Sequence, residues 1–260
     1  MAGSDLELLT HAGRQAGEIA MRYFHGPNRN WTKSGDSPVS EADIEVDRFL
    51  NETLMQARPG YGWLSEETAD NEERLSRERI FVVDPIDGTR GFLKGDPHWC
   101  VSIAVVANGR PEAAVLVSPA VNRMLSAAQG GGAVMNGEAL KVAAKTGLSK
   151  LTGSRRLNDA MEKLYEGRYE ILPFIPSLAY RIAMAATGET DAAFARSGAH
   201  EWDVAAAHLI LEEAGGRITT QSGKDVAYNA PAIRMPALVA AGPGRHEMTL
   251  ELAKQGGFLQ

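Results

Sequence analysis

Residues 99–106 form an apolar run rich in β-branched residues, which reads as a buried strand. Asn108-Gly109 follow it and lead into Ala113-Ala114-Val115-Leu116-Val117. Both central positions of a two-residue hairpin turn need positive φ, so Asn-Gly between two apolar runs predicts an antiparallel hairpin. Ile80-Phe81-Val82-Val83, ending in Asp84-Pro85, predicts a further buried strand. Gly130-Gly131-Gly132 reads as a turn, not a phosphate loop, since no helix clearly begins after it. Ahead of the strands, Leu8, Leu9, Ala12, Ala16, Ile19, Ala20 and Tyr23 recur at helical spacing behind the cap candidates Ser4 and Asp5, and the pattern stops at Gly26. The loop from Lys33 to Pro38 breaks the period. A second helix is predicted from Ser40, carrying Ile44, Val46, Phe49, Leu50, Leu54 and Met55.

Beyond about residue 140 short strands alternate with helices, predicted over residues 177–187, closed by Gly188, and 203–214, closed by Gly215-Gly216. The fold class is therefore α/β, with an α+β first half and an α/β second half. A chain of 260 residues suits one large domain or two closely packed ones, and no linker or repeat separates them. The expected division is residues 1–140 and 141–260, with the boundary near 138–150.

Composition narrows the function classes. Asp and Glu number 33 against 27 Lys and Arg, a net charge of −6, which argues against a nucleic-acid polymer as partner. The start has no basic segment before an apolar stretch, and no uncharged apolar run reaches the roughly 18–20 residues a bilayer span needs, so no membrane association is expected. Cys100 is the single cysteine; it forms no intrachain disulfide, agrees with a cytoplasmic location, and reads as a small buried hydrophobe.

The densest chemical signal is Asp84-Pro85-Ile86-Asp87-Gly88-Thr89, where a buried strand runs out. Two carboxylates and a hydroxyl offer hard oxygen ligands for Mg2+ or Mn2+, yet Asp, Pro and Gly are also turn formers, and on the hexapeptide alone the two readings weigh evenly. Trp63-Leu64-Ser65-Glu66-Glu67-Thr68 sets paired acids at another strand end; Glu66 suits a metal site, while Glu67 is read as a solvated loop residue. Asp203 falls in the first turn of an alanine-rich helix, where an acid complements the helix dipole. Ser40-Glu41-Ala42-Asp43 is close to a capping box, which taken alone is the simpler reading of Asp43.

Glu66-Glu67, the segment Asp84 to Thr89, and Trp202-Asp203 through Glu213-Ala214-Gly215-Gly216 together resemble the inositol monophosphatase superfamily, the lithium-sensitive, magnesium-dependent phosphomonoesterases. Their order and separations match over nearly the whole chain. The resemblance implies a layered α/β/α/β/α sandwich of the inositol monophosphatase and fructose-1,6-bisphosphatase type, with the metal cluster between its halves. It implies that Glu66, Asp84 and the Ile86 carbonyl hold one metal, and Asp84, Asp87 and Asp203 a second, with two or three Mg2+ ions in all and Mn2+ able to substitute. Thr89, paired with Asp43, would orient and help deprotonate the attacking water, and the Gly88 and Thr89 amides would grip the phosphate. Lys33 resembles the family's basic residue in a loop near the site. Clustered carboxylates facing an anionic substrate make sense only with cations between them. Aspartyl-phosphate phosphatases use Asp-x-Asp-x-Thr, a spacing this chain lacks.

Substrate choice rests on thinner signals. Inositol-preferring members place a glutamate a few residues ahead of Trp-Asp, where this chain has Arg196, which cannot accept hydroxyl protons. Arg196 either forks onto a second phosphate, as a 3'(2'),5'-bisphosphate nucleotidase would need, or is a surface residue ending a strand. Glu201-Trp202-Asp203 and Tyr228-Asn229-Ala230-Pro231 also resemble the nucleotidase branch, whereas Thr89-Arg90-Gly91-Phe92 and His98-Trp99-Cys100 depart from it. The expected activity is hydrolysis of a small soluble phosphate ester, first adenosine 3',5'-bisphosphate to AMP, with inositol 1-phosphate or histidinol phosphate as alternatives. A regulatory role in RNA processing or transcription is the non-enzyme alternative, and homodimerisation is a family-level expectation. His200 and the tryptophans Trp63, Trp99 and Trp202 are read as structural.

Overall fold

The computed structural model describes residues 4–33, 38–140 and 144–259. Most of the Lys33–Pro38 loop and the start of the 141–260 segment lie outside the described residues. The first half runs α1 (Asp5–Phe24), β1 (Asn30–Thr32), β2 (Pro38–Ser40), α2 (Glu41–Ala57), β3 (Gly62–Ser65), β4 (Arg79–Asp87), α3 (Thr89–Phe92), β5 (Cys100–Ala107), β6 (Arg110–Ser118), β7 (Arg123–Ala128), β8 (Gly132–Met135) and β9 (Glu138–Ala139). The second runs β10 (Lys150–Thr152), α4 (Arg155–Leu164), β11 (Glu170–Ile171), α5 (Leu178–Thr187), β12 (Ala192–Ala195), α6 (Ala205–Glu213), β13 (Arg217–Thr220), β14 (Leu238–Ala241) and α7 (His246–Gly256).

Local chemistry accounts for the boundaries. Ser4 and Glu7 close a capping box at the start of α1, and Leu9, Ala12, Ala16 and Ala20 bury its inner stripe. Gly13 and Gly17 in that stripe let the helix lie close to β6, since a Cβ at either would stand 3.1 Å from a Val117 methyl. The β5–β6 hairpin turns through Asn108 and Gly109 with φ of 51° and 73°, as the sequence predicts. In α2, Ala42, Val46, Leu50 and Leu54 face inward, one turn apart, which leaves Ile44 41% exposed; the outward position overrides its apolar character. The helix predicted from Asp203 begins later: residues 201–203 make a 3-10 turn and α6 follows, so Asp203 precedes the helix rather than sitting in its first turn.

The seven-stranded sheet has order β3-β4-β5-β6-β7-β8-β9, and the five-stranded sheet β11-β10-β12-β14-β13. Helices α1 and α2 cover one face of the larger sheet, α5 and α6 fill the space between the sheets, and α4 and α7 pack against the far face of the smaller one. The result is the α/β/α/β/α sandwich. Three cores match the three interfaces, and the middle one mixes residues of both halves, from Val82 and Leu116 to Ile182 and Ile210.

Because α6 is buried between two sheets, its side chains have no route to relax toward solvent. Ile210→Ala should lower stability by roughly 2–5 kcal/mol, read as a reduced urea midpoint with an unchanged slope; a loss under about 0.5 kcal/mol would show that the layers repack freely.

Candidate active site

The site starts from an irregularity in β4. Asp84 and Asp87 are three residues apart, so in a regular strand they would point to opposite faces. Here Asp84 pairs with Ser102 and Asp87 with Cys100, so three steps along β4 match two along β5. That bulge, at Pro85, turns both carboxylates to one side. Asp203 joins them from the turn before α6, and carboxylate oxygens of the three lie within 4.8 Å of one another.

Each carboxylate is anchored through one oxygen. Asp84 Oδ1 accepts the Ile86 N–H at 3.0 Å, and Asp203 Oδ2 the His200 N–H at 2.7 Å. Asp87 Oδ2 accepts both Ser177 Oγ and Ala179 N–H at 2.6 Å. Ser177 also caps α5 by accepting the Tyr180 N–H, so one hydroxyl starts a helix and aims a carboxylate. Gly88 beside them has φ +98°, and a Cβ there would stand 3.1–3.3 Å from Ser177.

These acids are buried with little compensating charge. Burial, then Asp203 and Glu67, pushes Glu66 up to about 8; burial and Asp87 push Asp203 up to about 7. Burial raises Asp84 well above the carboxylate range, with Glu66 and Asp87 adding to it, and raises Asp87 against the hydrogen bond from Ser177. Arg181 is the fully buried cation nearby, donating to the carbonyls of Ser177 and Phe194; burial pulls it down to about 10 while Asp87 and Asp203 oppose the shift. Arg181 and, beside Glu66, the Lys33 ammonium at 4.0 Å still leave the four acids short of positive charge, and oxygen donors converging in a buried pocket fit a hard divalent cation. The metal dependence that the resemblance implies and this acidic group agree.

Asp43 makes both sets of contacts that the sequence associates with it. Its Oδ2 accepts the Ser40 N–H and hydroxyl at 2.8 and 2.6 Å, closing a capping box, while Oδ1 accepts the Thr89 hydroxyl at 3.0 Å. The Thr89 hydroxyl lies equally close, 3.0 Å, to the Ile86 carbonyl. One turn along α2, buried Asp47 accepts the hydroxyls of Ser65 and Thr68 on either side of Glu66-Glu67. Glu67 is not a solvated loop residue: its side chain is 2% exposed and ion-paired with Lys33, whose ammonium also donates to the Glu66 carbonyl at 3.4 Å. Lys33 thus braces this strand end, its ammonium also 4.0 Å from the carboxylate of Glu66, which lines the cavity.

Glu66, Asp84, Asp87, Gly88, Thr89 and Asp203 line a cavity of 620 Å³. Ile86 lies beneath it, fully buried. Arg196 is not among the lining residues; the guanidiniums there belong to Arg90 and Arg155. Ser177, Asp47, Arg181 and Arg155 escape the sequence reading, and only Ser177, at a helix start, carries a local signal. His200 stacks on Trp202 at 4.6 Å in the cavity wall, whereas Trp99 is core. Glu201 turns away from the site and accepts the N–H groups of Asn229 and Ala230, so that segment serves as a structural clasp with Arg74.

Acids gathered at a strand end between two sheets, short of positive charge, describe a metal-dependent hydrolase, and comparison with known proteins supplies the family. The model of the inositol monophosphatase family matches residues 4–256, and the chain belongs to that family. It is 34% identical to an inositol-1-monophosphatase of Rhizobium meliloti over 84% of this chain and 86% of the relative. It is 33% identical to the Nus factor SuhB of Xylella fastidiosa over 85% and 83%. The solved Thermotoga maritima IMPase superposes with a TM-score of 0.85 at 26% identity, covering 97% of each chain. The protein is accordingly a phosphatase of this family, acting on small phosphorylated substrates. No helix among the described residues is long and apolar enough to cross a membrane.

A carboxyl that is protonated in the fold but ionised in the unfolded chain loses its stabilising effect as pH rises from its ordinary value to its raised one. For Glu66 that window runs from 4.5 to about 8, and for Asp203 from 3.8 to about 7. The melting temperature of EDTA-treated protein should therefore fall between about pH 5 and about pH 8, and the rise on adding Mg2+ should be larger at the higher pH. A metal-free melting temperature that is flat or climbs over this range would contradict the reading.

Proposed function

We propose that the protein is a Mg2+-dependent phosphomonoesterase, with Mn2+ able to substitute, that hydrolyses a small phosphate ester by attack of water. The observation that carries this reading is the Thr89–Asp43 hydrogen bond beside the convergent acids Asp84, Asp87 and Asp203. Glu66, Asp84 and the Ile86 carbonyl would hold one cation, and Asp84, Asp87 and Asp203 another. When bound, these cations supply Lewis acidity, making water acidic enough to ionise near neutral pH and offsetting charge on the phosphoryl oxygens.

The chain's own residues do the rest. Thr89 accepts a proton from the attacking water at Oγ1 as its own hydroxyl proton passes to Asp43 Oδ1. Burial raises the proton affinity of Asp43, which suits it to receive that proton, while Ser40 keeps the carboxylate in place. Gly88 and Thr89 open α3, whose first N–H groups have no acceptor within the helix and are available to phosphate oxygens. In this arrangement residues 1–140 form the part carrying most of the metal ligands, and residues 141–260 supply Asp203 and the substrate-selecting side.

Two esters are the leading candidates. Inositol 1-phosphate is the substrate that the names of curated relatives indicate. Adenosine 3',5'-bisphosphate is favoured by the cationic side chains of Lys94 and Arg155 in the cavity wall. Phosphate release from both, and from histidinol phosphate, measured with Mg2+ and with EDTA, tests the reaction; no EDTA-sensitive release from any of them overturns it. Thr89→Ala should lower kcat by roughly 10²–10⁴ with the Mg2+ requirement kept, while Asp84→Asn should raise the Mg2+ concentration needed for half-maximal activity. Wild-type turnover and metal response in either variant would remove that residue from its role.

A further inference from the structure

Asp84 and Asp87 stand on a strand, whereas Asp203 stands on the 3-10 turn of residues 201–203 and reaches them from a distant part of the chain. A strap, residues 229–235, holds that turn. Gly198 and Glu201 donate their N–H groups to the carbonyls of Met235 and Ile233 at 3.0 and 3.1 Å, the Met235 N–H returns to the Ala199 carbonyl at 2.6 Å, and His200 forms a β-bridge with Arg234. At the start of the strap the buried Glu201 carboxylate accepts the N–H groups of Asn229 and Ala230 at 2.8 and 3.2 Å. Arg74 takes the acceptors of the same two residues: its Nη1 donates to Asn229 Oδ1 at 2.7 Å and its Nη2 to the Ala230 carbonyl at 2.9 Å. Arg74 belongs to a 3-10 turn between β3 and β4; its side chain is 1% exposed, and Asp70 fixes its Nε and Nη2 at 2.7 and 2.9 Å.

Asn229 and Ala230 are thus gripped through their backbone donors by Glu201 and through their acceptors by Arg74. Both grips are charge-assisted, and such hydrogen bonds are roughly twice as strong as neutral ones. Glu201 lies two residues before Asp203, so a grip on Glu201 fixes the backbone from which the Asp203 side chain departs. We infer that Arg74 and Glu201 are positioning residues for the metal centre: acting through the strap, they hold Asp203 at the distance from Asp84 and Asp87 that a shared cation needs, and so set the affinity for that cation. This rests on the reading of Asp84, Asp87 and Asp203 as a metal site. Their carboxylate oxygens lie within 4.8 Å of one another although they come from two separate segments, and groups one step behind the ligands are worth about 10–100-fold in metal affinity. Arg74 sits in the lead-in to β4, which carries Asp84 and Asp87, so one guanidinium ties the strand that supplies two of the acids to the turn that supplies the third.

The test is Mn2+ titrated into metal-stripped protein with no substrate present, the affinity being read by calorimetry. Arg74→Met and Glu201→Gln should each weaken Mn2+ binding about tenfold, and the double variant should be no weaker than either single one, because both act through one clasp. Leu157→Ala, in the core on the far side of the smaller sheet, separates positioning from general stability: it should lower the melting temperature and leave Mn2+ affinity unchanged. Should Arg74→Met not fold, Asn229→Gly puts the same question. Glycine accepts the φ of 56° at that position and keeps the N–H that Glu201 receives, so the change removes only the side chain that Arg74 grips, and Mn2+ should still bind several-fold more weakly. Affinities within about twofold of wild type in the folded variants, or an equal loss in Leu157→Ala, would overturn the inference while the metal site stood. Wild-type protein that binds no Mn2+ would overturn the metal reading itself and this inference with it.

Discussion

The burial of several carboxylates in one place is the constraint on which the rest of the structure depends. An ionised carboxylate away from water is costly unless a cation or hydrogen-bond donors answer it, and here donors answer only part of each group. The surroundings are organised around that deficit. Ser177 and Ala179 hold Asp87, the Ile86 amide holds Asp84, the His200 amide holds Asp203, and Arg181 stands behind two of them. These anchors come from β4, α5 and the turn before α6, which meet only because α5 and α6 are packed between the two sheets. Packing and chemistry are therefore one problem: the layer of helices that completes the middle core also fixes the acids.

Helix α2 does similar work from the other side. Asp43 and Asp47 lie one turn apart on the same stripe; the first reaches Thr89 and the second clasps the hydroxyls flanking Glu66-Glu67. A single rigid rod thus sets the spacing between the Thr89 hydroxyl and the strand end that carries Glu66. A helix suits this task because residues four apart share a face at a fixed rise. The capping box at Ser40 strengthens the arrangement, since fixing the start of the helix also fixes the Asp43 side chain. A structural reading and a functional reading of Asp43 were never exclusive, because a carboxylate has two oxygens.

What the sequence disclosed and what it hid divide along physical lines. The hairpin at Asn108-Gly109, the caps at Ser4 and Ser40, and the strand-end acids are legible because each depends on neighbours within a few residues. The β4 bulge is not, since it exists only in the register between two strands, and a spacing of three taken alone would have set Asp84 and Asp87 apart. Glu67 was misjudged for a related reason: nothing near it in the chain reveals that Lys33 will cover it. Glu201 looked like a marker of substrate type and proves to be the acceptor of a backbone clasp, because its partners at 229 and 230 are distant in sequence.

Arg196 and Arg155 carry that lesson into substrate choice. Counting back from Trp202-Asp203 identifies Arg196, which follows β12 but does not line the cavity. Arg155 follows the neighbouring strand β10, some forty residues earlier in the chain. Adjacent parallel strands end at the same edge of a sheet, so residues after either can serve one cavity, and which of them does so depends on the loop's path rather than on distance along the chain. The chemistry of the site is built from short segments whose bond geometry leaves little choice. The walls around it carry side chains on separate elements, Arg155 on α4 and Lys94 after α3. Local motifs therefore reveal the acids, whereas the make-up of the cavity walls depends on how distant segments are brought together.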